Sequence, residues 1–420
     1  MKHTEGRNVG RRLICFCLLL FTAAPLFAQV LDSLSVKIGQ MILIGFPDAK
    51  ADSLVLKEIR SGKVGAIIFF EKNIPGYSAK GPSTLKSSSF AALKKIIWTY
   101  QAAAPIPLLV TIDQEGGKVN RLKDKYGFPR SITAQDMGRA PSLDSVRFYA
   151  EATASTLAGL GFNVNFAPVV DLGVNRDNTV IYKVGRSYGA NPDSVALLAE
   201  AFIKPHRKYG VITVLKHFPG HGSSLADTHY GVADVTNTWT PAELIPYERL
   251  ISAGMTDAVM SAHIVNKKLD ATGLPGTLSR RIIDSLLRKQ YHYDGVVFSD
   301  DMQMQAIAKQ YGLEETIRLA INAGVDIMCF SNNIAGSEER TVDKVYGIIR
   351  GLVENGKISR ERIDESYRRI MKLKSRIMPE ASPATTTVAP PPTVQASDTT
   401  MVKPQEQPAK EKKKKKRKRN

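Results

Sequence analysis

Eight short apolar strings punctuate the chain, at 41–46, 64–70, 108–113, 163–171, 211–217, 258–264, 295–300 and 325–331. Most are continuously apolar rather than alternating, the pattern of parallel strands covered on both faces. Between them lie stretches with helical spacing, notably 144–160, 193–208, 241–253, 279–289 and 304–323. Asp193 and Thr240 stand where helix N-caps belong, and Pro241 suits a first helical turn. Eight strands alternating with helices predict an α/β fold, a (β/α)8 TIM-type barrel forming a single domain. A doubly wound open sheet is the alternative. It asks for a glycine-rich turn after its first strand, and that strand here runs into GFPDAK.

A closed parallel barrel places its chemistry where the strands end. Polar residues collect at those points. Asp113 and Glu115 follow the third strand, and Asp171 ends the fourth. Lys216 and His217 end the fifth, and His263 lies in the sixth. Asp300 and Asp301 end the seventh; Ser331, Asn332 and Asn333 end the eighth. A structural protein has little reason to put charge repeatedly at that edge.

Four segments carry the candidate chemistry. In KHFPGHGSSLADTHYG, residues 216–231, a strand end runs into a Gly/Ser loop holding three histidines. Asp227 lies two residues before His229. In extended chain such residues face the same way, so the carboxylate can hold the histidine's tautomer and raise its basicity. A zinc site on His217, His221 and His229 is the weaker reading, because Pro219-Gly220 breaks the segment and the first two share no helix face. In GVVFSDDMQM, alternation sends one of Asp300 and Asp301 into the barrel mouth and the other aside to cap the following helix. In VTIDQEGGKVNRL, Asp113 ends a strand, two glycines turn the chain, and Lys118 and Arg121 follow. A rim carboxylate there can take two hydroxyls of a polar ligand, and Arg121 another. In VGRSYG, Arg186 sits in the long loop after the fourth strand.

The net charge is +18, but it is concentrated at the ends. Nine of the eleven residues from 410 to 420 are Lys or Arg, and the first 28 residues add a smaller excess. The body between is mildly basic, without the internal stripe expected of a nucleic-acid protein. Residues 1–28 read as a signal peptide: Arg11 and Arg12 precede an apolar run over 13–27, and cleavage follows Ala28. The run is short for a spanning helix, which needs roughly 20 residues. The expectation is an exported protein, periplasmic or secreted, with an uncleaved anchor as the alternative. Beyond the signal the one cysteine is Cys329, in the apolar string VDIMCFS, where it reads as a buried small hydrophobe. After a barrel domain over 29–378, residues 379–409 form a Pro/Thr-rich linker of disordered composition. The basic tail over 410–420 reads either as solvated or as a weak tether to an anionic surface.

Taken together, KHFPGHG followed by DTH, SDDMQM, DQEGG and GRSYG resemble glycoside hydrolase family 3, in its single-domain bacterial β-N-acetylglucosaminidase branch. The resemblance spans roughly 34–377. It implies a retaining exo-β-N-acetylglucosaminidase that uses no metal and no cofactor and acts on a small β-GlcNAc carbohydrate from cell-wall or related glycans. By position, Asp300 matches the nucleophile, His229 the acid/base and Asp227 its partner. Asp113, Arg121, Arg186, Lys216 and His217 match sugar-binding positions. Lys118 and Asn120 depart from the Arg and Gln common there, and RDNTVIYKV before Gly185 is unusual. Three rivals follow: a phosphorylase of the same glycosides, a β-glucosidase-type enzyme, and a wall-binding protein on a dead barrel. The last predicts a missing catalytic side chain, and none is missing.

Overall fold

A computed structural model describes residues 33–78, 89–225, 233–304, 307, 310–333 and 341–377. The expected signal, linker and basic tail lie outside these residues, as do Asp227 and His229. All eight apolar strings contribute strands to one closed parallel barrel. These are β1 (Ile42–Gly45), β2 (Ala66–Phe69), β3 (Leu109–Ile112), β4 (Val164–Asn165), β5 (Ile212–Phe218), β6 (Ala258–Ser261), β7 (Val296–Asp301) and β8 (Ile327–Phe330). Neighbours follow chain order. β8 closes onto β1 by pairing Ile42 with Met328, Leu43 with Cys329 and Ile44 with Phe330. Helices cover the outside and side chains fill the interior, so Ile42, Leu43 and Ile44 are all buried. That double burial is why the strings are apolar throughout rather than alternating.

The helices form where spacing predicts them, with shifted ends. The helix Leu143–Leu160 buries Val146, Ala150, Ala154 and Leu157 along one face. Ser142 caps its start, and Gly161, with φ 99°, ends it in the left-handed region that favours glycine. The helix Pro192–Lys208 is capped by Asn191 rather than the expected Asp193. The Asn191 side chain accepts from Ser194 N at 3.0 Å, and Pro192 takes the first turn. Thr240 precedes a short 3-10 turn, Pro241–Leu244, without a side-chain capping bond.

Three expected elements are shorter in the structure. The fourth strand was expected over 163–171, but its regular pairing covers Val164–Asn165 only. Pro168 has no N–H to give to a ladder, and pairing resumes as a single bridge from Val169 to Lys216. The sixth strand divides: Ile264–Val265 leaves the barrel to pair with Ala233–Asp234. The helix expected over 304–323 is interrupted at Gly312, φ 70°: the described residues 307, 310 and 311 before it are helical, and a separate helix, Leu313–Ala323, follows.

Candidate active site at the barrel mouth

The C-terminal rim holds a cavity of about 290 Å³. That is near the small end of the roughly 300–1,000 Å³ range of ligand pockets. Six of the eight residues singled out from the sequence line it: Asp113, Arg121, Arg186, Lys216, His217 and Asp300. Glu115, His221 and Asp301 line it too, with Phe70, Phe166 and Met260 among its apolar walls.

Each polar side chain is delivered by local geometry. After β3, residues Gln114–Gly116 and Val119–Asn120 form a small antiparallel ribbon turned by Gly116 and Gly117, both at positive φ. The Gln114 side chain accepts from Arg121 N and Leu122 N, each at 3.0 Å, and so fixes the backbone that presents Arg121. Asn120 completes this lock by accepting from Gln114 Nε2 at 2.6 Å and donating to Ser131 Oγ at 2.7 Å. The carboxylates of Asp113 and Glu115 are two residues apart and both face the cavity.

The side chains form a chain of alternating charge around the wall. Arg121 donates to Asp113 at 3.2 Å. Lys216 bridges Asp113 at 2.8 Å and Glu115 at 2.6 Å. Glu115 accepts two parallel bonds from Arg186, both 2.8 Å. Arg186 in turn faces His217 Nε2 at 3.3 Å, and His217 Nδ1 lies 2.7 Å from Asp171. Arg186 can only donate, so Nε2 accepts and Nδ1 carries the proton toward Asp171. Asp171, wholly buried, also accepts from the backbone N–H of His217 and His221.

This arrangement sets the charge states. Burial by itself would raise the Glu115 carboxyl, but Arg186 and Lys216 outweigh it and hold the group down at about 2. Burial likewise opposes ionisation of Asp113, and Lys216 and Arg121 overcome it. Asp171 is held low, against its burial, by His217. Burial pushes His221 down to about 4, so its ring is neutral near pH 7. Burial pushes Asp301 up to about 6, with the charge of Asp300 adding and the bonds from Ser331 and Gln303 opposing.

The division expected between Asp300 and Asp301 needs correction, because both line the cavity. Along β7 and β8, Phe298 pairs with Ile327 and Asp301 with Cys329, so β7 carries one extra residue. Such a bulge re-aims side chains that strict alternation would send apart. β5 does the same against β6: Leu215 pairs with Val259 and Phe218 with Ser261, placing the extra residue at Lys216–His217. Asp301 still does the local holding work. It accepts from Gln303 N at 3.1 Å, from Ser331 N at 3.2 Å and from the Ser331 hydroxyl. His263 is buried behind the rim, with Nε2 3.0 Å from the Asp301 carbonyl. Cys329 is buried, its thiol kept protonated chiefly by burial. Among the described residues no group of three His, Cys, Asp or Glu is placed to hold a metal.

The model of the Glycosyl hydrolase family 3 N terminal domain matches residues 33–373. The chain belongs to glycoside hydrolase family 3. Among similar sequences, a beta-hexosaminidase from Tolumonas auensis is 33% identical over 282 residues, 66% of this chain and 79% of its own length. Beta-hexosaminidase A from Pseudoalteromonas piscicida is 31% identical over 337 residues, and this chain covers 54% of it. Among solved structures, a family 3 β-N-acetylglucosaminidase from Paenibacillus sp. is 34% identical with a TM-score of 0.75. The match covers 85% of this chain and 65% of that one. A β-N-acetylhexosaminidase from Beutenbergia cavernae matches at 28% identity and a TM-score of 0.71, over 82% of this chain and 98% of its own.

Proposed function

We propose that this family 3 glycoside hydrolase is a retaining exo-β-N-acetylglucosaminidase, exported and acting on β-GlcNAc termini of cell-wall glycans. One observation carries the reading. The Asp300 carboxylate faces the same sugar-sized cavity as a wall of paired cations and carboxylates built to take hydroxyl groups. The names of the similar proteins support N-acetylhexosamine over glucose. The apolar run at the N-terminus supports export.

In this mechanism Asp300 attacks the anomeric carbon as the glycosidic C–O bond breaks, and His229 gives its proton to the leaving oxygen. Water then attacks the same carbon, His229 takes the water's proton, and Asp300 departs from the sugar. The passing state resembles an oxocarbenium ion, which a carboxylate beneath it stabilises. Asp227, by its spacing, serves as the partner of His229. Arg121, Asp113, Lys216, Arg186 and His217 hold the sugar hydroxyls.

The test compares aryl β-N-acetylglucosaminide with aryl β-glucoside, in phosphate and in a phosphate-free buffer, with the products separated by chromatography. The expected result is strong preference for the acetamido sugar and free N-acetylglucosamine in both buffers. Preference for glucoside, or a sugar 1-phosphate product, overturns the assignment.

A further inference from the structure

The loop after β4 and the stretch after β5 meet through one buried side chain that neither motif reading uses. Asn178 lies within RDNTVIYKV, upstream of Arg186, and is 1% exposed. Its Oδ1 accepts from Val180 N and Ile181 N, both at 2.8 Å. Its Nδ2 donates to the carbonyls of His221 at 2.9 Å and Gly222 at 3.1 Å, with Ser224 Oγ at 3.4 Å. Backbone N–H groups on one side and carbonyls on the other admit a single orientation of the amide.

The two halves of that amide reach the two halves of the site. Val180 and Ile181, with Glu115, help to hold Arg186: Ile181 O accepts from Arg186 N at 2.9 Å, and Val180 O from the guanidinium at 3.1 Å. His221–Ser224 belongs to the stretch that continues, a few residues on, to Asp227 and His229. The backbone there is held closely. A Cβ at Gly222 would collide with the Leu172 carbonyl, and Gly222 N donates to Glu243 Oε2 at 2.8 Å. Asn175 adds a parallel tie from Nδ2 to Ser224 O at 2.9 Å.

We infer that Asn178 is a positioning residue that registers the acid/base-bearing segment against the Arg186 turn. This rests on the reading of His229 as acid/base. Asn178 touches no substrate. It links the group that holds the sugar to the backbone leading to the group that protonates the leaving oxygen.

Asn178→Asp separates the two halves. It keeps the acceptor for Val180 and Ile181 but replaces the donor facing two carbonyls with an oxygen. The full chain is assayed on a natural-type disaccharide and on an activated aryl glycoside that needs little protonation. The expected result is a kcat loss of roughly 10–100-fold on the disaccharide, the scale for small misplacements of catalytic groups. On the aryl substrate the loss is about 3-fold or less, with KM nearly unchanged, because Arg186 keeps its supports. In a His229→Ala background the same substitution adds about 2-fold or less. Equal losses on both substrates, or a change in KM alone, overturn the proposal. If His229→Ala itself costs both substrates equally, the acid/base reading falls instead. If Asn178→Asp does not fold, Asn175→Asp, which keeps the acceptor for Asp177 N and removes only the donor to Ser224 O, decides the same question. A smaller loss confined to the disaccharide supports the proposal, and an even loss overturns it.

Discussion

The two ends of the barrel are both rich in charge, and they spend it differently. At the base, Asp326 just before β8 is wholly buried and paired with Arg288 at 2.6 Å and Arg362 at 3.3 Å. Those arginines also donate to backbone carbonyls: Arg288 to Tyr293, Gly295 and Gly324, and Arg362 to Ile321 and Val325. Val297 N and Ser366 Oγ occupy further capacity on Asp326. At the mouth, Arg121, Lys216 and Arg186 are paired chiefly with carboxylates that themselves face the cavity. Charge bound to backbone ties helix ends to strands. Charge bound to other cavity-facing side chains remains near whatever enters.

That contrast is open to breaking. The largest effect is expected at β7. Asp300→Asn should reduce turnover by at least roughly 10³-fold, as removal of a nucleophile does, with little change in Tm. Substantial residual turnover on aryl β-N-acetylglucosaminide would remove Asp300 from the mechanism. Next, Asp326→Ala removes a wholly buried carboxylate shared by Arg288, Arg362 and Arg369, whose side chains are largely covered. It should cost about 3–5 kcal/mol of stability, read by denaturant unfolding, while folded protein retains its kcat. A kcat loss without a stability loss would erase the distinction between the two ends.

Glu115→Gln tests the mouth more gently. Arg186 and Lys216 lose a charged acceptor but keep a hydrogen-bond acceptor. KM should rise roughly 10–100-fold, more than kcat falls, and Tm should fall less than in Asp326→Ala. A Tm loss as large as that at the base would make Glu115 a scaffold residue.

The smallest effect concerns Glu243, whose carboxylate supports Gly222 behind the mouth. Burial, with a contribution from the charge of Asp171, pushes its carboxyl up to about 7. The folded state therefore holds the proton more tightly than the unfolded chain, whose glutamate titrates near ~4.3. The resulting stability is full below that pH and is lost as pH rises through about 7. Thermal melts across this window should show a fall in wild-type Tm, and a shallower fall in Glu243→Gln, which keeps the acceptor but cannot ionise. Parallel curves would refute the assignment.

The barrel was legible because its strands are buried on both faces, which leaves continuous apolar strings at regular intervals. Its cavity residues were legible because charge at the end of such a string has no core to enter. Glu115 was visible at the rim too, but its role was not: it lies two residues after Asp113 on the same face, and its pairing with Arg186 and Lys216 crosses the barrel. The places where reading failed share a cause. Alternation along a strand assumes regular pairing, and β7 and β5 each carry an extra residue at the rim, which brings Asp301 to the cavity beside Asp300. Pro168 and Gly312 were visible signals that cut short the fourth strand and the helix expected over 304–323.

By itself the sequence determined the number and order of the strands, the end at which polar groups gather, and the residue types available for glycosidic chemistry. These follow from periodicity and burial, which are local along the chain. Only the tertiary structure decided which partners neutralise one another: Glu115 with Arg186, 71 residues apart, Lys216 with Asp113, 103 apart, and Asn178 with His221. Such pairings depend on distances set by closure of the barrel, and charge states depend on those pairings, so neither is written in any one stretch of the chain.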